Sequence, residues 1–191
     1  MRAGNPNDVL VVMGVCGAGK SAVAGRLAAC LRGGLIEADD FHTDEARARM
    51  SRGEPLDDAL RLPWLDRIGE ATLARLRQGG PVVVACSALR RLYRDRLRGF
   101  VPSALFIHLN GDRELIAQRL DRREGHFVGR SLLDSQIEAL EPLAQDEAGM
   151  VLDVAVPLDT LVGTVLRELG NAETPSLNSG PVGDDVAGRQ N

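Results

Sequence analysis

Gly14-Val15-Cys16-Gly17-Ala18-Gly19-Lys20-Ser21 places two glycines, a lysine and a hydroxyl in the spacing G-x-x-x-x-G-K-[ST]. That spacing suits phosphate chemistry. Glycines let backbone N–H groups turn inward and approach phosphate oxygens closely. A helix opening at Lys20 adds unpaired N–H donors and the positive end of its dipole. The loop Gly14, Val15, Cys16, Gly17, Ala18, Gly19 is therefore read as a nucleotide phosphate cradle, with Lys20 reaching the β- and γ-phosphates and Ser21 a Mg²⁺ ligand. Lys20 is the sole lysine beside 22 arginines. If the arginine excess reflects codon bias, the lysine that survives marks a place where arginine cannot substitute. A compact ammonium fits a tight loop; a planar guanidinium is bulkier and prefers flat bidentate partners.

A second polar cluster is Glu37-Ala38-Asp39-Asp40-Phe41-His42. It follows a strand-like run, and in parallel sheets ligands bind beyond the carboxyl ends of strands. Asp39, ahead of Asp40, is the candidate to accept the proton of an acceptor hydroxyl or to hold Mg²⁺ through water. The alternative is an Asp capping the next helix. His42 stands between acceptor contact and a structural hydrogen bond.

Arginines make up a third set. Ser87 at the end of a strand could meet the acceptor or a Mg²⁺ water. Arg90, Arg91 and Arg94 after it offer a bidentate fork for a carboxylate, Arg91 being assigned to the acceptor; the alternative is a solvated basic helix face. Further along, Arg119, Arg122, Arg123 and His126 lie in and after a helix, near Gly125 and Gly129. Arginines facing a phosphate loop can neutralise charge on a transferring phosphoryl group. The glycine-flanked stretch from about 122 to 131 suits a lid that excludes water. Trp64, the sole tryptophan, is expected to pack a helix rather than stack on a sugar.

The elements that must position these groups alternate. Short β-branched runs lie at 8–15, 34–40, 81–89, 103–110 and 151–157. Helical patterns fall at 20–33 and roughly 61–78, 88–98, 112–122, 131–140 and 158–169. Alternation of this kind predicts an α/β fold with a five-stranded parallel sheet, its strands apolar on both faces because helices cover both. Residues 1–170 form one domain in this reading, and the Gly/Pro/Ser/Asn-rich tail 171–191 is expected to be disordered.

Bulk properties narrow the partners. A net charge of -4 and 3% aromatic residues argue against nucleic acid. No apolar run nears the ~20 residues needed to span a bilayer, and the N-terminus lacks a signal-like segment. Three scattered cysteines, Cys16, Cys30 and Cys86, point to a reducing compartment and a cytoplasmic location.

"GVCGAGKS", "DDFH", "RMSRGEPL", "RLPWL", "CSALRRLYRDRLR", "RREGHF" and "SLLDSQIEALEP" together resemble, in order and spacing from about residue 9 to 170, the gluconokinases of the small P-loop type. The resemblance implies a fold like that of shikimate and adenylate kinases, and transfer of the ATP γ-phosphate to the 6-hydroxyl of D-gluconate with Mg²⁺. It also implies a homodimer. By resemblance, Arg119 is a nucleotide contact and Arg123 a catalytic cation, His126 faces the acceptor, and Arg122 sits at a variable position. Thr43 and Ala46 stand where the family usually has Pro and Asn, Leu60 where it has Asp, and Val128-Gly129 where it often has Met-Pro. The alternatives are a kinase of another sugar acid or a shikimate-like polyol, and a nucleotide-binding regulatory protein without turnover.

Overall fold

The computed structural model describes residues 8–54, 56–122 and 130–173. Five strands form one sheet: β1 (Val9–Met13), β2 (Gly34–Glu37), β3 (Val82–Ala85), β4 (Leu105–Asn110) and β5 (Gly149–Asp153). Their order is β2-β3-β1-β4-β5, and every pair is parallel. The helices are α1 (Lys20–Leu31), α2 (Asp44–Ser51), α3 (Asp58–Leu76), α4 (Arg91–Phe100), α5 (Arg113–Asp121), α6 (Arg130–Ala139) and α7 (Leu158–Glu173).

Period-two alternation along β1 explains why its run is apolar throughout. Leu10 and Val12 enter a core with Val23 and Leu27 of α1, Ile116 of α5 and Val165 of α7. Val9, Val11 and Met13 enter a second core with Trp64, Leu65 and Ile68 of α3 and Tyr93 and Leu97 of α4. A strand between two such layers has no solvent face on which a polar residue would be favoured.

Chain order takes β1 to β2 by skipping the place that β3 fills, and later from β3 to β4 on the other side of β1. The direction of winding thus reverses at β1. A crevice opens there at the carboxyl ends of the strands, where the phosphate loop, the 38–42 turn and the residues after β3 emerge.

Three local readings are corrected. The helix expected at 88–98 begins at Arg91, because residues 86–90 form a loop in which Ala88 takes φ 42°. The last strand is 149–153, with residues 154–157 turning into α7. Helix α2 falls outside the helical patterns of the sequence and enters the reading only as the helix that an Asp of the pair could cap; Thr43 starts it, its side chain accepting from Ala46 N–H at 3.2 Å, with Asp44 and Glu45 in the first turn. Helix α7 runs to Glu173, and the tail beyond it lies outside the described residues.

Candidate active site

The phosphate loop leaves β1 at Gly14 and enters α1 at Lys20. Gly14 and Gly17 carry φ of 138° and 80°. A Cβ on Gly14 would lie 2.7 Å from the Leu109 carbonyl oxygen, so backbone shape and packing both require glycine there. Lys20 folds back over the loop, and its Nζ donates to Val15 O at 3.0 Å. On the far side of the same peptide, Cys16 N–H donates to Gln136 Oε1 of α6 at 2.7 Å. Burial pulls the Lys20 pKa below the ordinary lysine value, with Asp39 acting in the opposite direction.

Residues after β2 and β3 complete the crevice. Asp39 and Asp40 sit in a single 3-10 turn, Ala38–Phe41. Since Thr43, not an Asp, caps α2, the helix-capping reading of the pair is set aside. The turn is held from below by its carbonyls. Trp64 Nε1 donates to Ala38 O at 2.7 Å, Arg67 Nε to Phe41 O at 3.0 Å, and Arg47 to Asp40 O and His42 O at 2.9 and 3.2 Å. The Trp64 ring stacks on His42 with centroids 4.5 Å apart. Trp64 is thus a packing residue, as expected, but one whose packing places His42. Burial lowers the His42 pKa, keeping the ring neutral at pH 7; its Nε2 faces Asp39 Oδ1 at 3.9 Å, and its buried Nδ1 has no partner among the described residues.

A cleft of about 530 Å³ joins these groups, lined by Cys16, Gly17, Gly19, Lys20 and Ser21 of the loop and by Asp39, His42, Ser87 and Arg119. The sequence therefore brings most of its candidates to one place. Glu54, Arg61 and Gln136 also line it and were not singled out for roles. For Arg61 and Gln136 the signal was present in "RLPWL" and "SLLDSQIEALEP", read only as resemblance. Arg123 and His126, and with them most of the expected lid, lie outside the described residues.

The arginines after β3 correct the reading. Arg91 does not line the cleft; its guanidinium forms a bidentate pair with Asp146 at 2.9 and 2.6 Å. Arg90 pairs with Asp58. Arg94 is fully buried, neither a ligand nor part of a solvated face. It pairs with buried Glu147 at 2.7 Å through Nε and Nη2, and its Nη1 donates to Ala88 O and Leu89 O. It thereby holds the strained turn that carries Ser87, whose own carbonyl accepts from Gly14 N–H at 3.3 Å. By contrast, Arg61 and Arg119 make no carboxylate salt bridge among the described residues. Arg61 Nε donates to Leu56 O at 2.9 Å and Arg119 Nη2 to Val154 O at 2.7 Å, so each fork is oriented with donors left over.

Ser21 Oγ donates to Glu37 Oε2 at 3.0 Å, a carboxylate at the end of β2 that the sequence reading passed over. Ser21, Glu37 and Asp39 are hard oxygen donors. No cluster of three or more His, Cys, Asp or Glu side chains fit to hold a metal occurs among the described residues. Few protein ligands beside substrate phosphates and water is the usual setting of Mg²⁺, and the donor set fits it. Thiolate chemistry is disfavoured at Cys86, whose pKa is pushed up to about 12 by burial, and at Cys16, where burial also raises it. Thr43, Ala46 and Leu60 do not line the cleft: Thr43 caps α2, Ala46 is buried and Leu60 lies in the first turn of α3. No helix among the described residues is long and apolar enough to cross a membrane.

Comparison with known proteins places this architecture. The model of a family described as an AAA domain matches residues 9–143. The thermoresistant gluconokinase of Escherichia coli K12 is 39% identical over 162 residues, covering 84% of this chain and 93% of its own. A sugar kinase from Janibacter sp. HTCC2649, solved unliganded, is 43% identical with a TM-score of 0.81, over 89% of this chain and all of that one. A gluconokinase structure from Sinorhizobium meliloti 1021 is 41% identical with a TM-score of 0.79, over 88% of this chain and 94% of that one.

Proposed function

Because the chain belongs to the gluconokinase family of P-loop kinases, we propose that it transfers the terminal phosphoryl group of ATP to the 6-hydroxyl of D-gluconate. The observation that carries this reading is the shared cleft. The phosphate loop, an exposed carboxylate at Asp39 and two arginines that have no carboxylate partner among the described residues all line it.

Each residue has a part in the reaction. Loop amides and Lys20 hold the β- and γ-phosphates, and Arg119 orients the nucleotide from α5. Ser21, with Glu37 and Asp39 through water, would hold Mg²⁺, which when bound neutralises phosphate charge. Asp39 takes the proton of the attacking hydroxyl as the new O–P bond forms and the bond to the leaving ADP oxygen breaks. His42, held flat by Trp64 and neutral, offers a ring nitrogen to an acceptor hydroxyl, and Ser87 offers its own hydroxyl from the loop after β3. Arg61 replaces Arg91 as the partner of the acceptor carboxylate, its free Nη atoms forming the fork. From the sequence alone, Arg123 is proposed to neutralise transferring charge and His126 to meet the acceptor.

ADP release measured across gluconate, other aldonic and uronic acids, shikimate and neutral polyols tests the reading. Gluconate should give the highest kcat/KM. Preference for shikimate or a neutral polyol, or nucleotide binding without turnover of any acceptor, would overturn it. A homodimer and a cytoplasmic location are further proposals, resting on the family resemblance and on cysteine usage. Light scattering at micromolar concentration checks the first.

A further inference from the structure

Resting on the kinase reading above, we propose that Gln136 contacts the terminal phosphate: its side-chain carbonyl is held by the phosphate loop, and its NH₂ group donates to a γ-phosphate oxygen.

The orientation of the carboxamide follows from its partner. Cys16 N–H can only donate, so the atom 2.7 Å from it must be Oε1. The NH₂ end is then turned away from the loop backbone, and among the described residues it has no hydrogen-bond partner. Gln136 lines the same cleft as Lys20 and Ser21. Two hydrogens thus stand free on a residue that lines the cleft holding the phosphate loop. The partner that best complements a free NH₂ at a phosphate-binding loop is an anion that only accepts, which describes a phosphate oxygen better than a hydroxyl.

The placement of Gln136 is built rather than accidental. Leu133, three residues earlier and on the same face of α6, is fully buried in the core. Asp134 forms a bidentate pair with Arg113 of α5 at 2.7 and 2.9 Å, which fixes the register of α6. The bonded peptide is also polarised. Its carbonyl, Val15 O, accepts from the Lys20 ammonium at 3.0 Å, which strengthens its N–H as a donor to Gln136.

Contact with the γ-phosphate alone predicts a difference between nucleotides. Binding of Mg²⁺ with a non-hydrolysable ATP analogue, and separately with ADP, would be measured by calorimetry without acceptor. Gln136→Glu keeps an oxygen for Cys16 N–H but sets a negative charge where the NH₂ was. It should weaken analogue binding about 10- to 100-fold while ADP changes less than about threefold. Gln136→Ala should weaken the analogue selectively and by less. Melting temperatures of both variants check that the fold is retained, and either variant alone suffices for the comparison. Equal loss of analogue and ADP would show a structural latch only and overturn the proposal, as would unchanged binding of both. Because no acceptor is present, this result is independent of whether wild-type protein phosphorylates gluconate. Failure of the acceptor panel with a selective analogue effect would overturn the substrate and leave the Gln136 contact standing.

Discussion

Lys20 and Gln136 hold opposite ends of one peptide group: the ammonium takes the Val15 carbonyl at 3.0 Å, and the carboxamide takes the Cys16 N–H at 2.7 Å. The two residues are far apart in the chain, one at the start of α1 and one on α6. Their shared peptide sits where the loop first turns out of β1. Its plane sets which way the Val15 carbonyl and the Cys16 N–H face, so the shape of the loop there depends on an element outside it.

Lys20→Ala should lower kcat for gluconate phosphorylation at least about 10²- to 10³-fold, the usual scale for removing one preorganised charge from a transferring group. The fold should survive, because no buried carboxylate is left unpaired. Lys20→Arg should also be poor, since the loop is closed over its own carbonyl and has little room for a guanidinium. Steady-state kinetics beside a thermal melt checks both; near-normal turnover in Lys20→Ala would remove the cradle reading.

Asp39→Asn should cost far more turnover than Asp40→Asn, roughly 10²-fold or more against less than about threefold. Asp39 lines the cleft and Asp40 does not, and Asp40 is tied in only through its backbone carbonyl on Arg47. Nucleotide affinity, measured alongside kcat, should hold in both. Equal and mild effects would make the pair structural.

Arg61→Ala should raise KM for gluconate about 10- to 100-fold with a smaller change in kcat, the loss expected for a charge-assisted hydrogen bond. Arg91→Ala should leave KM unchanged, because its guanidinium is committed to Asp146 on the surface. An acceptor KM that responds to Arg91 and ignores Arg61 would reverse this assignment.

Glu147 ties function to acid stability. Hydrogen bonds from Arg94 hold its pKa down at about 2, against an ordinary value of 4.5. A carboxyl lowered on folding stabilises the native state fully above its unfolded pKa. That contribution should be lost progressively as pH falls from about 4.5 through about 2, amounting to about 3 kcal/mol at 1.36 kcal/mol per pKa unit. Glu147→Gln should cost about 3–5 kcal/mol at pH 7, because Arg94 is left buried without its counter-charge. Urea unfolding at pH 7 and at pH 3 checks the sign: wild type should lose stability between them, and the variant should lose less. Surviving folded variant should also show reduced kcat, since Arg94 holds the Ala88 turn beneath Ser87.

Much of this molecule was legible along the chain because its cause is local. Glycine spacing and a helix start made the phosphate loop. Runs apolar in both registers made the central strands β1, β3 and β4, which lie between helix layers, whereas the edge strands β2 and β5 leave Leu35 and Val151 exposed. The position of Asp39 at the cleft was legible because it follows a strand closely. Helix α2 was not among the helical patterns, although Thr43-Asp44-Glu45 carried a capping signal, because its face is largely polar and shows little periodicity.

Arginine pairing could not be read this way. Arg90, Arg91 and Arg94 are one residue type within five positions, and nothing local separates them. The tertiary structure sends Arg91 to Asp146 and buries Arg94 on Glu147, 55 and 53 residues away. It leaves Arg61, from another helix, lining the cleft with no carboxylate partner among the described residues. Gln136 reaches Cys16 across 120 residues. The order of apolar and turn residues determined the scaffold by itself, through burial and backbone geometry that act over a few positions. Which charges are spent on one another and which face the cleft was decided by distance in space, because a charge pairs with whatever carboxylate the fold brings within about 4 Å.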